Sequence, residues 1–319
     1  MAVVIGALMA CAHNQTSHWR NNETLWRHAL ACTSANSLAH YKLAGVLYQK
    51  GETDEAITHY KQTLETEPDF AEARNNLGVA LSAKADLEEA IWQYRKALEI
   101  KPDYAEAHYN LGNALFLRGQ SEEAIAHYKQ ALEIKPDYAE AHNNLGNALF
   151  RRGELEEAIA HYKTVLELDP GYGGALNNLG AAYTQLGRVP EAISEYRKAL
   201  DLQPENVDAL KDLAWALATS PQAALRDGAA ALALAKKAGQ LTGEKNPLVL
   251  RTLAAAYAET GSCGMASVTA RHALDLAIGQ KNDALAATLQ KEIKLYEADT
   301  PVREGPIEGS APTGRDATR

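Results

Sequence analysis

Five prolines, Pro68, Pro102, Pro136, Pro170 and Pro204, stand 34 residues apart. That period is far longer than a heptad. It marks a copied unit of two helices that buries its apolar face only by stacking on its neighbours. The expected fold is all-α, a right-handed α-solenoid of helix-turn-helix hairpins whose surface carries its function. Proline cannot continue a helix and biases the residue before it away from the helical region. Each of these prolines therefore ends the second helix of a unit.

Counting each unit from the residue three after its proline gives starts at Ala71, Ala105, Ala139, Gly173 and Val207, with an earlier start at Ser37. Position 7 is then Leu43, Leu77, Leu111, Leu145, Leu179 and Leu213, and position 8 is Ala44, Gly78, Gly112, Gly146, Gly180 and Ala214. Position 20 is Ala56, Ala90, Ala124, Ala158 and Ala192, and position 24 is Tyr60, Tyr94, Tyr128, Tyr162 and Tyr196. Small residues at 8 and 20 let the two helices of a hairpin approach closely, while the leucines supply apolar faces. The tyrosine at 24 is expected to fill the wedge between successive hairpins. Gly119 and Gly153 fall in the turn inside a hairpin, where a positive φ suits glycine. Glutamates at positions 18 and 19 (Glu122, Glu123, Glu156, Glu157) suit the start of the second helix through its dipole.

This combination of small residues at 8 and 20, an aromatic at 24 and proline at 32 resembles the tetratricopeptide repeat. The resemblance covers Ser37–Asn206 as five regular units (37–206). It departs from the family pattern at position 4, where His40, Arg74, His108 and His142 replace the usual tryptophan. It departs again at position 11, where leucine often replaces tyrosine.

Both ends of the array are irregular. Residues 207–246 form a sixth unit whose inter-helix turn is lengthened by Thr219–Gly228, and 247–281 form a seventh. A helix within 282–299 mixes Lys and Glu with Leu, as a cap on the last apolar edge does. Residues 300–319 are poor in apolar side chains and are expected to be disordered. Before the array, 21–36 matches the second helix of a unit without its first. Residues 1–20 contain the apolar run Ala2–Ala12, too short alone for a membrane span. Three readings stand for it: the end of a truncated membrane segment, a signal or lipoprotein segment lacking the usual basic start, or a soluble helix. The order of this run, the half-unit and the repeats resembles bacterial membrane glycosyltransferase-like proteins with C-terminal repeats. A membrane tether through the N-terminal segment is one partner expectation, and membrane-associated, cytoplasmic and extracytoplasmic locations stay open.

The net charge of −9 and the lack of any Lys/Arg block argue against a nucleic-acid partner. Cys11, Cys32 and Cys263 have neither disulfide-framework nor zinc spacing. No nucleophile elbow, phosphate loop or dinucleotide fingerprint occurs, so the chain is read as non-catalytic, with no cofactor and no metal. Histidines recur at positions 4 and 23 (His59, His127, His161). Equivalent positions in adjacent units lie about 10 Å apart, too far to converge on one ion.

The residues most suited to a ligand are the asparagines at position 6: Asn76, Asn110, Asn144 and Asn178. By the resemblance, the first helix of each unit lines a concave groove, so these form a ladder similar to that in O-GlcNAc transferase. An amide offers both donor and acceptor and pairs with a peptide backbone whatever its side chains. Asn113 and Asn147 at position 9 widen the stripe. Tyr109 at position 5 and Phe116 and Phe150 at position 12 border it as apolar anchors. The alternative for the asparagines is a structural one, at neighbouring helix ends; for the phenylalanines it is packing between repeats. Two functions follow as expectations. One is a scaffold that binds a protein or peptide segment in its groove. The other is the substrate-recognition part of a glycosyltransferase whose catalytic part lies elsewhere.

Overall fold

The structure is a computed structural model that describes residues 21–33 and 36–303 of the chain. The apolar N-terminal segment and residues 304–319 of the expected disordered tail lie outside the described residues. Among the described residues there are sixteen α-helices, one short 3-10 turn and no strand. The chain divides into two compact units, residues 1–141 and 142–319, within the helix Ala139–Arg152.

In the first unit a lone helix, α1 (Asn22–Cys32), precedes three antiparallel pairs. These are α2 (Ser37–Gln49) with α3 (Thr53–Thr66), α4 (Ala71–Ala83) with α5 (Leu87–Ile100), and α6 (Ala105–Leu117) with α7 (Ser121–Ile134). The second unit takes up α8 (Ala139–Arg152) and continues with α9 (Leu155–Leu168), α10 (Gly173–Gln185), α11 (Val189–Leu202), α12 (Val207–Thr219) and α13 (Gly228–Leu241). It ends in α14 (Pro247–Glu259), α15 (Cys263–Gly279) and the single helix α16 (Asp283–Glu297). The second helices of the regular hairpins stop at Thr66, Ile100, Ile134, Leu168 and Leu202, two residues before each ruler proline. The 3-10 turn Ala223–Leu225 occupies the lengthened turn of the sixth hairpin.

Four hairpins close on a glycine–tyrosine contact. A methyl group added at Gly78, Gly112, Gly146 or Gly180 would lie 2.6–2.7 Å from a ring carbon of Tyr94, Tyr128, Tyr162 or Tyr196 respectively. The position 24 tyrosine therefore lies flat on the first helix of its own hairpin, rather than chiefly in the wedge between hairpins as its size suggested. Alanines at the packing positions are buried beside it, and clusters such as Ala71, Ala97 and Ala107 with Leu98 and Tyr104 join one hairpin to the next. The intra-hairpin turns use a residue with positive φ: Gly51, Gly119, Gly153, Gly187 and Gly261, but Ala85 in the hairpin of α4 and α5.

Residues 300–303 depart from the expected tail. The chain turns at Asp299, Thr300 N–H donates to Leu295 O at 2.9 Å, and Val302 is only 2% exposed. No helix among the described residues is long and apolar enough to cross a membrane.

Candidate functional site

The position 6 asparagines sit on first helices, where the amides of Asn76, Asn110 and Asn178 join one hairpin to the one before. In the first unit, Asn76 Nδ2 donates to Tyr41 Oη at 3.1 Å and Asn110 Nδ2 donates to Asn75 Oδ1 at 3.0 Å. Asn75 Nδ2 in turn donates to Asn76 Oδ1 at 3.2 Å, so one relay runs from Asn110 to Tyr41. The second unit repeats it. Asn178 Nδ2 donates to Asn143 Oδ1 at 3.2 Å and to Asn147 Oδ1 at 3.0 Å, and Asn143 Nδ2 donates to Asn144 Oδ1 at 3.2 Å. In every bond between hairpins whose partner stands at position 5, the acceptor is 35 residues earlier.

The relay commits one of the two N–H groups on Asn75, Asn76, Asn110 and Asn143, and both on Asn178. Asn110 Oδ1 accepts nothing among the described residues. Asn177 Oδ1 and Asn178 Oδ1 are buried and accept no hydrogen bond there either.

The position 9 asparagines have an internal partner. Tyr128 Oη donates to Asn113 Oδ1, and Tyr162 Oη to Asn147 Oδ1, both at 2.8 Å. In two other hairpins a hydroxyl at position 12 does this job: Ser82 with Tyr94 at 3.3 Å and Thr184 with Tyr196 at 3.1 Å. Burial pushes the Tyr94, Tyr162 and Tyr196 hydroxyls well above the ordinary tyrosine range, so they stay protonated. Tyr109 packs its ring 4.9 Å from that of Tyr138, Phe116 is half-buried and Phe150 is buried.

Two constellations went unread in the sequence. The first is the histidines, which pair within a hairpin, position 4 with position 23. Nδ1 faces Nδ1 at 2.8 Å in His40–His59, 3.0 Å in His108–His127 and 2.9 Å in His142–His161. His108 Nε2 lies 3.0 Å from Pro102 O, which places its proton there and makes Nδ1 the acceptor from His127. Arg74 does both jobs in the hairpin that lacks the pair, donating to Pro68 O at 2.9 Å and to Gln93 Oε1 at 3.2 Å. The constant 19-residue spacing was the available signal. No group of three or more metal-ligating side chains gathers among the described residues.

The second is the continuation of the asparagine register into the irregular hairpins. Positions 5, 6 and 9 of α12 are Lys211, Asp212 and Trp215, and position 5 of α14 is Arg251. Lys211 and Asp212 form a buried ion pair; burial raises the Asp212 carboxyl above its usual range while Lys211 opposes the shift. Arg251 stacks 4.3 Å from the Trp215 ring centre and donates from Nε and Nη2 to Glu292 Oε1 at 2.8 and 2.6 Å.

Known proteins resemble parts of this chain. Protein O-mannosyl-transferase TMTC1 of Homo sapiens is 38% identical over 64 residues, 20% of this chain and 7% of that protein. The Mus musculus protein gives the same figures, so the match spans a small fraction of these curated relatives. Among solved structures, YrrB, described as a TPR protein with an unusual peptide-binding site, is 27% identical with a TM-score of 0.50. That alignment covers 58% of this chain and 95% of YrrB. Pseudomonas aeruginosa pilF, 20% identical, shares the fold with a TM-score of 0.58 over 65% of this chain and 92% of its own. The family model described as TPR repeat matches residues 44–84, 83–117, 112–153, 146–187 and 180–219, more than half of the sequence. The matched residues run through successive helix pairs, and the chain belongs to the tetratricopeptide repeat family.

Proposed function

We propose that this chain is a non-catalytic scaffold that holds an extended peptide segment of another protein along its first-helix face. Tetratricopeptide arrays serve as protein–protein interaction scaffolds, and the specific reading rests on one observation. In the first unit the relay commits one amide N–H of Asn76 and one of half-buried Asn110, which leaves each a second N–H and leaves Asn110 Oδ1 as an acceptor. Amides that keep a donor and an acceptor suit the backbone of an extended chain, read without regard to its side chains. Each such bond contributes about 1 kcal/mol, and several on a rigid scaffold reach the micromolar range. Asn113 with Tyr109 and Phe116 in the first unit, and Asn144, Asn147 and Asn178 with Phe150 in the second, are the further contacts proposed within each unit.

The test is selection of random peptides on the full chain, then titration of the winners against Asn76→Ala and Asn110→Ala. Weaker binding with a nearly unchanged melting temperature supports the reading. Equal binding by the variants, or no peptide enriched, removes it. The TMTC1 match favours a second reading, in which the array recognises substrate for a larger membrane glycosyltransferase-like protein. Sugar transfer by the purified chain alone would contradict both.

A further inference from the structure

The two irregular parts of the array, the lengthened sixth turn and the segment after α16, meet on one carboxylate. Glu259 is the last residue of α14, where the negative end of the helix dipole disfavours an acidic side chain. Two arginines compensate it. Arg226, from the lengthened turn, donates from Nε to Glu259 Oε1 at 3.0 Å and is itself anchored by Nη1 on Ser220 O at 3.0 Å. Arg303 brings Nη2 to 2.5 Å from Glu259 Oε2 and donates from Nη1 to Ala218 O at 3.4 Å. Ala218 lies in the last turn of α12, whose final carbonyls have no partner inside the helix. Next to Arg303, Val302 is buried.

We infer that the ends of α12 and α14 form a binding site for a peptide carrying an aliphatic residue followed by arginine, and that Val302–Arg303 is its resident occupant. The seat is built from parts that do not depend on the segment. Arg226 fixes Glu259 from the other side, and the Ala218 carbonyl is set by its helix. With Arg303 withdrawn, a carboxylate oxygen and a helix-end carbonyl are left facing the same place, which is an acceptor pair suited to a guanidinium. An apolar socket stands beside it. A partner presenting the same pair competes with the chain's own segment, whose presence lowers the apparent affinity by the fraction of seats it leaves open. This site is separate from the asparagine face and does not rest on the reading given to it.

The test uses the full chain with V302D/R303E and a labelled peptide of sequence Thr-Pro-Val-Arg-Glu-Gly. The variant is expected to bind the peptide at least about tenfold more tightly than the wild type, because its seat is empty. Replacing arginine in the peptide with alanine, or adding Glu259→Gln to the variant, is expected to abolish that binding. Equal affinity for wild type and variant overturns the inference, as does no saturable binding by a variant with wild-type circular dichroism. Should V302D/R303E fail to fold, R303A is titrated in its place with the same two outcomes. A concentration-dependent dimer of the wild type that V302D/R303E abolishes would overturn the partner assignment and give the seat to a second copy.

Discussion

The first helices of the two units start from one 34-residue template and end in different surroundings. In the first unit, α4 and α6 alternate buried and half-open residues, and their polar positions hold uncharged amides. In the second, α10 and α12 are enclosed nearly all round, and every residue from Lys211 to Ser220 is buried. A helix covered on all sides is a core element rather than a surface one. Its polar positions then require partners, and α12 and α14 fill them with paired charges. Template position thus fixes which way a side chain points, while the array around it decides whether that direction leads to solvent.

The largest expected effect breaks the enclosed side of this comparison. Glu292→Ala takes from buried Arg251 its carboxylate and is expected to cost about 3–5 kcal/mol in urea unfolding. The exposed pair Arg118–Glu88 of the first unit should lose at most about 1 kcal/mol on Glu88→Ala. Equal costs for the two would erase the distinction between the units.

Next is the feature the units share. Gly112→Ala and Gly146→Ala press a methyl group on Tyr128 and Tyr162, with an expected cost of about 1–3 kcal/mol each. Ala44 beside Tyr60 in the first hairpin shows that a ring can yield to a methyl, so values near the lower bound are expected. Thermal melts of both variants would show whether the closure is equally tight in the two units.

Acid should loosen the histidine pairs. Burial, then the neighbouring His108 and Arg95, lower His127 from 6.5 to about 4, while Glu123 and Gln130 oppose the shift. Burial also lowers His59 and His108. The unfolded chain then binds protons that the folded chain refuses. Stability is complete above about pH 6.5 and falls as the pH drops toward about 4. Installing the neighbouring hairpin's solution, His108→Arg with His127→Gln, should flatten this profile in circular-dichroism melts. A profile unchanged by the swap would show that carboxylates set the acid limit.

The smallest effect is a gain. Ala85 holds a φ of 61° where five other hairpins place glycine at the equivalent turn. Ala85→Gly should stabilise by about 0.5–1 kcal/mol, seen as a higher denaturant midpoint.

Backbone-level features were legible in the sequence because they follow from local chemistry. Proline ended the second helices of the regular units, glycine took the positive φ in five hairpin turns, and first helices begin at the unit starts that the proline spacing gives. The site was legible only in outline. Asn110 and Asn178 could be placed on one face, but not the 35-residue partner that takes their N–H groups, since that depends on how hairpins stack. The histidine pairs were missed because the spacing tested was 34 rather than the 19 that joins the two helices of one hairpin. Val302 and Arg303 were missed because composition describes a segment's average, while two residues suffice to seat it.

The 35-residue hydrogen bonds also set how the array meets force. They tie neighbouring helices sideways, one after another along each unit. Tension along a unit loads them in series, and each is a single hydrogen bond of about 1 kcal/mol. The weakest hairpin lets go first while its neighbours stay closed, releasing about 110 Å of extended chain per repeat. Each unit is a spring that lengthens in steps.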